Sequence, residues 1–118
     1  MNLNVVDKNL QIELTFKEQL LAARFNKLWQ IPLAHITQVT TAKPQKHRRE
    51  LRAPGSFFPG VIKAGTYYTD QGKEFWYVTQ DGNYLTLELR NEPYQRIILT
   101  LENNDHWQQT LLQLSADQ

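Results

Sequence analysis

Four stretches in the second half of the chain read as strands separated by turn residues, and two of them alternate apolar and polar residues. Leu85, Leu87 and Leu89 fall on one side of a period-two pattern, with Tyr84, Thr86 and Glu88 on the other. Ile97, Leu99 and Leu101 repeat the scheme. Alternation at this period marks strands with one buried face. Residues 64–69, 74–79, 84–90 and 96–102 thus read as a regular meander. Asp70-Gln71-Gly72, Asp81-Gly82-Asn83 and Asn91-Glu92-Pro93 supply the turns between them. A chain with this half is committed to an antiparallel sheet.

The first half adds strands and a helix. Leu10, Ile12, Leu14 and Phe16 alternate with Gln11, Glu13 and Thr15, which reads as another half-buried strand. Leu21, Phe25 and Leu28 then fall at i, i+4 and i+7, the spacing of a short helix. The chain becomes extended again around Trp29-Gln30-Ile31-Pro32, and Pro32 belongs at a strand edge or bend because its nitrogen cannot join a ladder. A β-rich run follows over 34–41. Near the end, Asp105 is placed to cap a helix with Gln108 three residues on, and Trp107, Leu111 and Leu114 form its apolar stripe.

Between the halves, Pro54-Gly55 and Pro59-Gly60 read as two turns, with Gly65 opening an aromatic run. The segment just upstream is basic. Residues 43–52 hold Lys43, Lys46, Arg48, Arg49 and Arg52 against Glu50, a net of +4; with a chain total of +1, the other 108 residues carry −3. Positive charge is concentrated in one loop.

At 118 residues the chain has room for a single domain, 1–118, with one real core. The fold class is mainly β: an antiparallel barrel of about seven strands closed by a C-terminal helix, an arrangement that removes exposed edges. With no cysteine there is no disulfide, thiolate nucleophile or cysteine-bound metal. The first ten residues lack the basic start and apolar run of a signal peptide, and no apolar segment approaches a membrane span, so the expected location is the cytoplasm.

Ile31-Pro32-Leu33 with Ile36 and Val39, Arg52-x-Pro54-Gly55, Pro59-Gly60 and Gly65-Thr66 form a pattern. Phe75-Trp76-x-Val78, Leu87-x-Leu89, Tyr94 with Arg96 and the terminal helix continue it. Together these resemble small bacterial proteins with a pleckstrin-homology-like barrel, over roughly 10–114. The resemblance implies a seven-stranded barrel capped by a helix. It implies little about activity, since barrels of this kind serve lipid binding, peptide binding and self-assembly alike.

Catalysis finds little support. His35, His47 and His106 lack metal-ligand spacing, the aspartates sit at turns or caps, and Gly55, Gly60 and Gly65 match no phosphate-cradling pattern. No catalytic residue, metal or cofactor is expected. Most of the aromatics suit the core and mouth of a small barrel. Phe57-Phe58 is the exception: between two turns, one ring should point inward and the other outward. The basic run offers about 4 kcal/mol toward an anionic surface, close to millimolar affinity, and needs help from Phe57 and Phe58 or from oligomerisation. The expected function is a non-enzymatic binding or assembly module. Its contact residues are Lys43, Lys46, Arg48, Arg49, Arg52, Phe57, Phe58 and Lys63. A partner protein or a second copy comes first as ligand, an anionic membrane second. A small nucleic-acid-binding barrel is the alternative, though the −3 balance outside the loop weighs against it; a small-molecule-binding barrel stands third.

Overall fold

A computed structural model describes residues 1–44, 50–58 and 61–116. In chain order the elements are β1 (Asn2–Val6), β2 (Asn9–Glu13), α1 (Phe16–Ala22), β3 (Leu28–Pro32), a 3-10 turn (Leu33–His35), β4 (Ile36–Thr40), β5 (Glu50–Phe58), β6 (Ile62–Thr69), β7 (Gly72–Val78), β8 (Tyr84–Leu89), β9 (Arg96–Thr100) and α2 (Asn104–Ala116). They form a three-stranded sheet, β1-β2-β3, and a six-stranded sheet, β4-β8-β9-β7-β6-β5. No helix among the described residues is long and apolar enough to cross a membrane.

The mainly β architecture and the C-terminal helix agree with the sequence reading; the strand count and closure do not. There are nine strands among the described residues, against about seven expected, and the extra two are β1 and β5. Residues 2–6 are a short strand ahead of the expected one. β5 runs straight through Pro54-Gly55, so that pair is no turn. An edge strand tolerates the missing amide of Pro54, and a register shift between Arg52 and Gly55 absorbs the irregularity. Pro59-Gly60 lies outside the described residues. The second half is also not a simple meander: β9 inserts between β7 and β8 and runs parallel to β7. Local turn chemistry at Asp81-Gly82-Asn83 is the same whether a strand returns beside its predecessor or one place further along.

The first helix is shorter than the sequence spacing predicts. α1 is held at its start by a capping box, in which Glu18 N–H donates to Thr15 Oγ1 and Thr15 N–H donates to Glu18 Oε1. It stops at Ala22, because Ala23 turns left-handed at φ 51°. Phe25 and Leu28 therefore fall outside the helix, and both are exposed. In α2, Asp105 lies inside the first turn and is not the cap. Its apolar stripe holds, with Leu111 fully buried and Trp107 and Leu114 against the core.

The main core lies between the sheets. Leu10, Ile12, Trp29 and Ile31 from the small sheet meet Phe75, Tyr77, Leu85, Leu87, Ile97 and Leu99 from the large one. Trp29 and Phe75 meet edge to face at 5.2 Å. Strand alternation sends Trp76, Ile98, Tyr67 and Tyr84 to the opposite face of the large sheet, where they form a second buried cluster with Val78 packed against it.

That second face is buried because the sheet curls. Laid flat, strands spaced about 4.8 Å apart would put the β4 and β5 edges about 24 Å from each other. Lys43 and Pro44, just past β4, nevertheless line the same groove as Phe57 and Phe58 of β5. Among the described residues no pairing joins β4 to β5, so the sheet is curled without being a closed barrel. β4 and β5 are consecutive in the chain, and the stretch linking them includes 45–49, outside the described residues.

Candidate binding groove

The groove, of about 340 Å³, sits at the mouth of the curl beside the β5–β6 connection. Cross-strand register builds it. Phe57 on β5 stands opposite Lys63 on β6, and Lys63 stands opposite Val78 on β7. Trp76, two residues before Val78, faces the same way. Phe58, Val61 and Ile62 form the hairpin wall, and Tyr84 with Gln80 and Asp81 closes the opposite side.

Trp76 is held from two directions. Lys63 Nζ lies 3.6 Å from its ring centroid and 4.4 Å from that of Tyr67. Such a contact is worth about 0.5–2 kcal/mol, more where water is excluded. On the ring's edge, Trp76 Nε1 donates to Glu74 Oε1 at 3.0 Å. Glu74 is fully buried, and it also accepts from Gln95 Nε2 at 3.1 Å and pairs with Arg96 Nη2 at 2.8 Å. A buried carboxylate needs this much compensation, since an uncompensated one costs several kcal/mol. The polar cluster deep in the curl thus fixes the aromatic side chain nearer its mouth.

The rim is wetter. Lys43 Nζ pairs with Asp81 Oδ1 at 3.0 Å, and Tyr84 Oη donates to the same oxygen at 2.8 Å. These two hydrogen bonds, Tyr84's first, hold the Asp81 carboxyl below its ordinary range. The bond to Asp81 raises the Lys43 ammonium. Burial, then the bond to Asp81, raises the Tyr84 phenol. Lys43 and Asp81 are both largely exposed, so the pair shapes the rim without contributing much stability.

Of the residues chosen from sequence, Lys43, Phe57, Phe58 and Lys63 meet in this groove. Phe57 and Phe58 are 43% and 62% exposed, so the expected inward ring is absent. They lie at the end of strand β5, and both line the groove. Arg52 is also a strand residue; its backbone stands opposite Tyr67, in the row of Glu74 and five residues from Phe57. Lys46, Arg48 and Arg49 lie outside the described residues. Sequence reasoning missed Trp76, Val78, Asp81 and Tyr84 as wall residues, because only the register of β6 against β7 and the curl bring them to Lys63.

His35 is far along β8 from this end. Its Nδ1 meets Glu92 Oε2 at 2.5 Å and ties the 3-10 turn to the β8–β9 connection. Among the described residues no group of three His, Asp or Glu is placed to hold a metal. No family model, curated protein or solved structure matches the chain.

Proposed function

We propose that this chain is a non-enzymatic binding module built on a pleckstrin-homology-like curled sheet. Its groove takes a segment of a partner protein that presents an apolar side chain beside a carboxylate. The observation that carries this reading is the convergence of Lys43, Phe57, Phe58 and Lys63, from three separate segments, onto one groove with Trp76 in its wall. Apolar lining supplies affinity and a few placed polar groups supply orientation, the usual division of labour in a binding cleft. Lys63 lies over Trp76, so its side chain is already held in the groove wall.

The test is a selection of displayed peptides on the immobilised protein. Enriched peptides should join an aromatic or aliphatic residue to Asp or Glu, and their binding should fall by about tenfold or more in Lys63→Glu and Phe57→Ser. Peptides without that chemistry, or binding indifferent to both substitutions, would sink the reading. An anionic bilayer is the second reading, favoured by Phe58 and Val61, 62% and 65% exposed on either side of the β5–β6 connection. Sedimentation with phosphatidylglycerol vesicles but not with phosphatidylcholine vesicles, abolished by Phe58→Ser with Val61→Ser, would favour it.

A further inference from the structure

Among the described residues four strands stand at sheet edges: β1 and β3 in the small sheet, β4 and β5 in the large one. Free edges invite pairing with another chain, and proteins blunt them with proline, charge, bulges or covering groups. Three of the four are blunted. β3 ends in Pro32. β4 has a register shift between Ile36 and Gln38, and Gln108 of α2 donates to the Val39 carbonyl at 3.4 Å. β5 carries Pro54 and a register shift between Arg52 and Gly55. β1, with the sequence Asn-Leu-Asn-Val-Val, has no charge, no proline and no register shift.

The turn after β1 decides which backbone groups face outward. Val6 stands opposite Asn9 across a two-residue loop, Asp7-Lys8, with φ of 51° and 64°. In such a hairpin the flanking pair exchanges both ladder hydrogen bonds, and alternation follows from there. Asn2, Asn4 and Val6 therefore point their amides at β2, while Leu3 and Val5 point theirs outward. In keeping with this, the Val5 N–H donates to Asn4 Oδ1 at 3.0 Å, a partner on its own strand.

We propose that β1 is a homodimer edge: two copies pair antiparallel through it and join their small sheets into one of six strands. The two-fold axis passes beside Asn4, so Leu3 of one copy stands opposite Val5 of the other. Four N–H···O bonds form, and the Asn4 side chain releases the Val5 amide. The half-buried Leu3 and Val5 side chains of both copies then share one face. No charge on β1 opposes the approach. The surface is separate from the groove and does not depend on the function proposed for it.

Sedimentation equilibrium from micromolar to millimolar protein tests this, alongside the variants Asn4→Lys and Phe58→Asp. Asn4 is exposed, so Asn4→Lys leaves the fold intact while setting two lysines face to face at the edge. The expected result is a monomer–dimer equilibrium whose dissociation constant rises by about tenfold or more in Asn4→Lys and is unchanged in Phe58→Asp. Hydrogen exchange at the Leu3 and Val5 amides should slow as concentration rises. A monomer throughout the range overturns the proposal. So does a dimer indifferent to Asn4→Lys, which would place the interface elsewhere, for instance on the exposed Phe16 and Leu20 of α1.

Discussion

Gly55 illustrates how one missing side chain shapes the hairpin that carries the groove. It stands opposite Gly65, and a Cβ added to it would lie 2.3 Å from the Ala64 carbonyl oxygen and 2.9 Å from Gly65 Cα. Both neighbours are backbone and cannot swing aside. Gly55→Ala should therefore destabilise the protein by about 2–3 kcal/mol, read from urea denaturation; an unchanged midpoint would contradict the close approach. Two tyrosines report on their surroundings through pH. Burial first, then the charge of Glu18, raises the Tyr77 phenol. Burial first, then Asp81, raises that of Tyr84. A raised phenol keeps its proton longer in the folded state than in the unfolded one. The stability it contributes is complete below about pH 10, the unfolded value, and is lost as pH climbs through the folded one. Phenolate absorbance should show a late-titrating component that shrinks in Tyr77→Phe and in Tyr84→Phe, and its absence would place both rings in solvent.

Among the elements, β1 and β2 show why part of the fold escaped the sequence. Type I′ turns need positive φ at both central residues and favour Asn-Gly or Asp-Gly. Asp7-Lys8 takes that geometry with a lysine at φ 64°, so no turn signal separates the two strands. Lys8→Gly should raise stability by about 0.5–1 kcal/mol, seen as a higher Tm; a fall would mean the lysine side chain is worth more than the strain. β5 escaped for the opposite reason, since Pro54-Gly55 is a strong turn signal that an edge strand overrode. Strands β6 to β9, by contrast, were legible within a few residues, because β-forming residues run between clear turn signals, although β7, β8 and β9 are buried on both faces. α1 was half legible: Thr15 and Glu18 form its capping box, whereas the Leu21, Phe25, Leu28 spacing ran past the left-handed stop at Ala23.

For the molecule as a whole, the large sheet has two apolar faces and therefore two cores. One face meets the small sheet and α2; the other folds inward on Trp76, Tyr67, Tyr84 and Ile98. Curling brings the β4 and β5 ends together, which is how Lys43 and Phe57, fourteen residues apart, line one groove. The sequence held the residue types of that site but not the partners Trp76, Val78 and Tyr84, which depend on strand order and on the insertion of β9. If the groove is a binding site, a small anionic aromatic should find it. In a nuclear magnetic resonance titration with anilinonaphthalene sulfonate, the shifts should concentrate on the Trp76 indole and the amides of Phe57, Lys63 and Val78, and should collapse in Lys63→Glu. Shifts centred instead on α1, or scattered without response to Lys63→Glu, would contradict the groove as the binding surface.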